Sequence, residues 1–264
     1  MKTNKAKEFF KNVMQKFSDL LYPKGITCVN CGAELIADTR VDLCAKCTEG
    51  LVFNEGRRCP ICGIGMHNEA DYCDNCTKYD KYFDLNRSPL VYDGVGSDLI
   101  KKLKFGGKKY IAAELAKLMA DEYYSENIKA DVILFVPMTD KEIKERGYNQ
   151  SELLACEMSA RLGLPVAENL LKTKDTDRQK KLSAKERREN LKDVFDVVGK
   201  EEIKGKNILL TDDVFTTGAT VNECARVLKK AGARKVFSVT ACITRFRTEG
   251  ERAVLPCDNA LQDG

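Results

Sequence analysis

The chain has 264 residues, 43% hydrophobic and 32% charged, with no tryptophan and one histidine: a globular composition with room for one α/β domain and something smaller. Its 44 basic and 40 acidic residues leave a net charge of +4, too mild to mark a nucleic-acid binder by itself. No stretch approaches the roughly 18 apolar residues of a membrane span.

Residues 1–24 are expected to form an amphipathic N-terminal helix. Phe9, Phe10, Val13, Met14, Phe17, Leu20 and Leu21 share one face. Its charges carry both signs, so the helix is expected to pack on the protein and not on a membrane surface. The segment lacks the uninterrupted apolar core of a secretory signal, which points to a cytoplasmic protein.

Residues 25–80 hold eight of the twelve cysteines, all in CxxC pairs: Cys28/Cys31, Cys44/Cys47, Cys59/Cys62 and Cys73/Cys76. In a reducing compartment such pairs read as metal ligands and not as disulfides. Each pair forms a knuckle, and two knuckles supply the four thiolates of a tetrahedral zinc ion. A double zinc ribbon with two structural ions is expected. A sequential pairing and a cross-braced one, first pair with third and second with fourth, share this signature. His67 falls between knuckles and is expected to be a loop residue, because eight cysteines already satisfy two ions. Cys224 and Cys242 are expected to be small buried hydrophobes, and Cys257 is assigned to no site.

Helices and strands alternate from about residue 88. Leu90–Tyr92 reads as a short strand, and residues 97–104 and 110–124 as helices. Across the end of the first helix and the link to the second, Lys101, Lys102, Lys104, Lys108 and Lys109 crowd into nine residues. They are a solvated face or, with Phe105, Tyr110 and Tyr148 nearby, a track for single-stranded DNA. Val132–Val136, ended by Pro137, suits a buried parallel strand. A helix is expected over 149–162, and strands over Leu170–Thr173 and Val194–Val198. Next come a strand over 208–211, a helix over 219–231, a strand over 236–243 and a flexible tail over 247–264. The alternation predicts a parallel sheet with helices on both faces, binding ligands beyond the carboxyl ends of its strands.

The most informative stretch is ILLTDDVFTTGAT, Ile208 to Thr220. A strand runs into Asp212 and Asp213, then into the small, hydroxylated loop Thr216-Thr217-Gly218-Ala219-Thr220, then into a helix. Backbone N–H groups and the positive helix end attract phosphate, and Gly218 lets the backbone come close to it. The acids suit vicinal hydroxyls or a divalent cation such as Mg²⁺. The ordinary reading is a strand-to-helix turn with a capping box from Thr220 to Glu223.

This stretch resembles the PRPP-binding motif of type I phosphoribosyltransferases, where PRPP is phosphoribosyl pyrophosphate. The resemblance implies that Asp212 and Asp213 hold the ribose hydroxyls, as the catalytic pair, and that Thr216 to Thr220 wrap the 5′-phosphate. Three further stretches, LKFGGKK (103–109), VPMTDKEIKERGYNQSELLA (136–155) and KTKDTDRQKKLSAKERRENLKDVF (172–195), are similar to the ComF family. So is the order of amphipathic start, double zinc ribbon and phosphoribosyltransferase-like domain, here over 88–246. That resemblance implies a pyrophosphate turn at Pro137, Met138 and Thr139. It places Arg146, Gly147, Asn149 and Gln150 beside the turn, and Gln179, Leu182, Arg187 and Asn190 in a mobile loop. It also implies Mg²⁺, a role in DNA uptake during natural competence, and competence proteins as partners. The rival readings are a single-stranded DNA-binding adaptor and a PRPP-sensing adaptor without turnover.

Overall fold

The computed structural model describes residues 25–36, 39–66, 68–174 and 191–245. The N-terminal segment 1–24, His67, the expected loop residues Gln179, Leu182, Arg187 and Asn190, Cys257 and the tail 247–264 lie outside the described residues.

The described elements in chain order are helices α1 (Ala45–Glu49) and α2 (Asp74–Lys78), strands β1 (Leu85–Arg87) and β2 (Leu90–Val91), and helices α3 (Gly94–Phe105) and α4 (Ile111–Ser125). They continue with β3 (Val132–Phe135), α5 (Asp140–Arg146), α6 (Gln150–Leu162), β4 (Leu170–Lys172), β5 (Phe195–Val197) and α7 (Lys200–Ile203). The last three are β6 (Asn207–Phe215), α8 (Ala219–Lys230) and β7 (Lys235–Ile243).

The main sheet is parallel, in the order β1–β7–β6–β3, with β2 also paired to β7 as a continuation of the β1 edge. Apolar residues alternate between its two faces, as the strand period requires. Leu209, Ile133 and Val239 pack with α3, α4 and α6 in one core; Ile208, Leu210, Leu134 and Val236 pack with α8 and β5 in the other. Among the described residues no helix is long and apolar enough to cross a membrane.

The structure corrects the expected elements in four places. β6 runs through both acids to Phe215 and does not stop at Thr211. α5 was not expected, because none of its residues is buried and it shows no apolar period. Its cap was nevertheless written in the sequence: the Thr139 hydroxyl accepts from the Glu142 N–H, and the Glu142 side chain accepts from the Thr139 N–H. β4 and β5 pair antiparallel in a separate two-stranded sheet outside the parallel one. The sheet also begins three residues before 88, at Leu85, where Asn86 and Arg87 are buried against the cysteine-rich module.

The two halves of that module attach to opposite faces of the sheet. Cys28, Leu43, Cys47 and Leu51 join the α3/α4 core, while Cys59, Cys62 and Ile64 join the α8 core. The second half is stitched to the sheet edge by polar contacts. Asn86 donates from its side chain to the Cys62 carbonyl at 2.9 Å and from its backbone to the Ile61 carbonyl at 2.8 Å.

The contact is close enough to test with two matched glycines. Gly32 and Gly63 occupy equivalent knuckle positions with φ of +79° and +74°, but an added Cβ at Gly32 meets nothing within 4 Å. At Gly63 it would lie 2.6 Å from the Asn86 carbonyl oxygen. Gly32→Ala is expected to cost about 1–2 kcal/mol of left-handed strain. Gly63→Ala is expected to cost a further ~1–3 kcal/mol as the sheet edge gives way. Denaturant melts of the two variants compare these costs directly; equal costs would contradict the docking.

Candidate functional site

The metal centres follow from the knuckles. Cys28, Cys31, Cys44 and Cys47 form one group and Cys59, Cys62, Cys73 and Cys76 the other, with all four sulfurs of each group within 4.8 Å of one another. The pairing is therefore sequential. A tetrahedral zinc ion with Zn–S bonds of about 2.3 Å needs sulfurs about 3.8 Å apart. Cys31 and Cys44 approach to 3.6 Å, and Cys62 and Cys73 to 3.5 Å, so both donor sets fit zinc. In each group the first pair sits on a tight turn, closed by Gly32 N–H to Cys28 C=O in one and Gly63 N–H to Cys59 C=O in the other. The second pair opens a one-turn helix, with Cys44 capping α1 and Cys73 capping α2.

The acidic pair lies at the carboxyl end of β6, with Asp212 beside Thr240 of β7. Asp212 is 9% exposed and Asp213 3%, so these are buried carboxylates and not loop acids. Ser151, in the first turn of α6, donates from Oγ to Asp212 Oδ1 at 2.7 Å, and the Asp213 N–H donates to the same oxygen at 2.9 Å. Lys104 reaches in from the last turn of α3 and places Nζ 2.8 Å from Asp213 Oδ2. Burial, then the neighbouring Asp213 charge, push the Asp212 carboxyl up to about 7, against the pull of Ser151 and Lys104. Burial works to lower the Lys104 ammonium, but the charge and hydrogen bond of Asp213 outweigh it and leave the pKa raised.

The expected pyrophosphate turn lies on the same rim. Phe135 is paired with Thr211, and the Val136 N–H donates to the Thr211 carbonyl, so Pro137, Met138 and Thr139 leave β3 beside the acids. Asn149 caps α6 and donates from Nδ2 to the Val136 carbonyl at 3.0 Å, fixing the turn. Arg146 donates to Gln150, lies 3.8 Å from the Met138 sulfur and stands 5.4 Å from the Phe105 ring centroid. Thr139 is occupied as the cap of α5.

The loop Thr216–Gly218 turns over the Phe215 ring. Gly218 has φ +74°, and a methyl there would overlap that ring, so only glycine fits. Gly218 is the N-cap of α8, with Ala219 and Thr220 in its first turn. The capping box from Thr220 to Glu223 is not formed; Glu223 instead pairs with Arg226 and accepts from the Asp193 N–H.

The five lysines are divided between inward and outward roles. Lys104 is committed to Asp213, and Lys102 donates to the Asn30 carbonyl at 2.7 Å. Lys101 pairs with Asp98 at 3.4 Å, Lys109 lies 4.8 Å over the Tyr148 ring, and Lys108 is half-buried. Sequence reasoning missed Ser151 altogether and placed Lys104 with the outward cluster. The available signal was position, since Lys104 directly follows the buried Leu103 on the apolar stripe of α3.

A parallel sheet with buried acids running into a glycine-bearing loop, behind two four-cysteine sites, defines a phosphoribosyltransferase-type domain preceded by a double zinc ribbon. Family models agree: residues 17–77 match the double zinc ribbon domain and residues 148–259 the phosphoribosyl transferase domain. The chain is 33% identical over 216 residues to competence protein F of Haemophilus influenzae, covering 79% of this chain and 93% of that protein. It is 30% identical over 208 residues to the DNA utilization protein YhgH of Escherichia coli K12, covering 76% and 90%. The chain belongs to the competence protein F (ComF) family. Among solved structures, the PRPP amidotransferase of B. subtilis overlaps 53% of this chain and 30% of its own, with 20% identity and a TM-score of 0.38.

Asp212 gives the site a pH signature. Its folded pKa of about 7 lies above the ordinary value of 3.8, so its contribution to stability is complete below about pH 4 and is lost as pH rises through 7. Asp212→Asn removes that loss while keeping an acceptor for Ser151. The variant is expected to exceed the parent by roughly 1–3 kcal/mol at pH 8, with a smaller gap at pH 5. Thermal melts at the two pH values measure this; a gap that grows on acidification would contradict the assignment.

Proposed function

We propose that the chain binds PRPP, or a related ribose 5-phosphate, with Mg²⁺ at the rim of β6, and serves DNA handling during natural competence. The observation that carries this reading is the pair of buried carboxylates leading within three residues into a glycine-bearing loop and the N-terminus of α8. Asp212 and Asp213 would accept hydrogen bonds from the ribose hydroxyls. Thr216, Thr217, Gly218, Ala219 and Thr220 would enclose the 5′-phosphate with backbone N–H groups and the helix dipole. The carboxylates are hard oxygen donors of the kind Mg²⁺ prefers, and pyrophosphate oxygens and water would complete its shell. Bound there, Mg²⁺ would neutralise charge on the pyrophosphate. Lys104, paired with Asp213, and Arg146, 3.8 Å from the Met138 sulfur, suit the charge that gathers as pyrophosphate leaves C1.

A second partner, single-stranded DNA, is favoured by the surface of α3 and the loop after it. Phe105 is 72% exposed and Tyr110 44%, among Lys101, Lys108 and Lys109. Aromatic faces between cations suit base stacking and phosphate contacts. The names of two relatives, a competence protein and a DNA utilization protein, support this role and the presence of competence-protein partners.

Titration calorimetry of the full chain with PRPP and Mg²⁺ tests the site. The parent should bind, and Asp213→Asn should weaken binding at least about tenfold, because a charge-assisted hydrogen bond is worth about 1.5–3 kcal/mol. Binding of a single-stranded oligonucleotide should survive the same substitution and weaken steeply with salt. Unchanged PRPP affinity in the variant would remove the reading.

A further inference from the structure

The second zinc ribbon touches the loop that the proposed site depends on. Asn75 stands between two zinc ligands, Cys73 and Cys76, on α2, and is buried at 8% exposure. Its side-chain amide donates to the Thr217 carbonyl at 3.1 Å, across 142 residues of sequence. Lys81 holds α2 in place from behind, donating to the Asn75 and Tyr79 carbonyls at 2.8 Å each.

The segment after α2 adds more contacts to the same loop and helix. Phe83 packs edge-on against Phe215 with ring centroids 5.9 Å apart, and Phe215 is the ring under Gly218. The Tyr82 N–H donates to Asn222 Oδ1 at 2.7 Å, and Asn222 Nδ2 donates to the Asp80 carbonyl at 3.3 Å. The short stretch of chain that begins at a zinc ligand therefore backs the whole turn from β6 into α8.

The Asn75 bond sets an orientation. In a planar trans peptide the C=O and N–H point opposite ways. Anchoring the Thr217 carbonyl toward the ribbon turns the Gly218 N–H away from the ribbon, and on the site reading that N–H is one offered to a phosphate oxygen. At the matching position of the first ribbon stands Lys46, an exposed residue.

We infer that Asn75 is a positioning residue for the sugar-phosphate loop, and that the second zinc ion sets ligand affinity through it. The inference rests on the reading of that loop as the phosphate site. Cys73 and Cys76 would be fixed when they hold zinc, and through them the Asn75 amide that bonds the Thr217–Gly218 peptide.

The test uses the full zinc-loaded chain and the variants Asn75→Ala, Asn75→Asp and Lys46→Ala. Asn75→Asp keeps the shape of the side chain and removes the donor. Both Asn75 variants are expected to bind PRPP and Mg²⁺ about tenfold more weakly by calorimetry, a loss of about 1.4 kcal/mol. Metal analysis should still find two zinc ions per chain, and the melting temperature should stay near that of the parent. Lys46→Ala should bind as the parent does. Hydrogen exchange at the Gly218 amide gives a readout that needs no ligand, and should be faster in Asn75→Asp. Parent-like affinity and exchange in both Asn75 variants would overturn the inference and leave the site reading standing. A parent that binds no PRPP would overturn the site reading, and the Gly218 exchange rate would still decide the clamp.

Discussion

Two adjacent carboxylates buried near the end of β6 are a costly feature of this molecule, and neighbouring elements answer to them. Like charges on neighbouring residues repel, and burial removes the water that would soften the repulsion. The chain meets this with one cation and one hydroxyl. Lys104 arrives from α3 to face Asp213, and Ser151 arrives from α6 to bond Asp212. One ammonium facing two acids still leaves the Asp212 carboxyl raised to about 7. A stable fold gains little from such an arrangement. A site that must take up hydroxyls, a divalent cation or both gains a great deal.

The zinc ribbons belong to the same design. They cover opposite faces of the sheet, the first over α3 and α4, the second beside α8. The first therefore lies against the helix that delivers Lys104: the Lys102 ammonium bonds the Asn30 carbonyl, two residues before that lysine. The second lies against the loop after β6 through Asn75, Phe83 and Tyr82. The two four-cysteine groups thus contact different elements beside the acidic pair, the helix α3 in one case and the loop after β6 in the other. A module with few large apolar residues gains its rigidity from metal, and passes it on through short polar contacts.

The strand, loop and helix of the candidate site were legible in the sequence because they are contiguous. Acids, hydroxylated loop, glycine and helix follow one another from Asp212 to Val221, and the structure keeps that order. Residues whose roles depend on distant partners were not legible. Lys104 looks like one of five surface lysines until α3 folds back onto β6, with Asp213 far away along the chain. The strand was expected to end at Thr211 because charge normally marks a loop; pairing with Lys104 and Ser151 lets it continue through the acids. The grouping of the cysteines was open because both pairings share one spacing, and proximity alone separates them. The short helix α5 buries nothing, so no periodicity announced it, although its Thr139–Glu142 box did.

A crystal structure of the full chain with ribose 5-phosphate and Mg²⁺ tests the central claim most directly. The account predicts the phosphate within hydrogen-bonding distance of backbone N–H groups of residues 216–220, with the ribose hydroxyls on Asp212 and Asp213. A sugar phosphate lodged against Lys101, Lys108 and Lys109, with the rim of β6 empty, would contradict it.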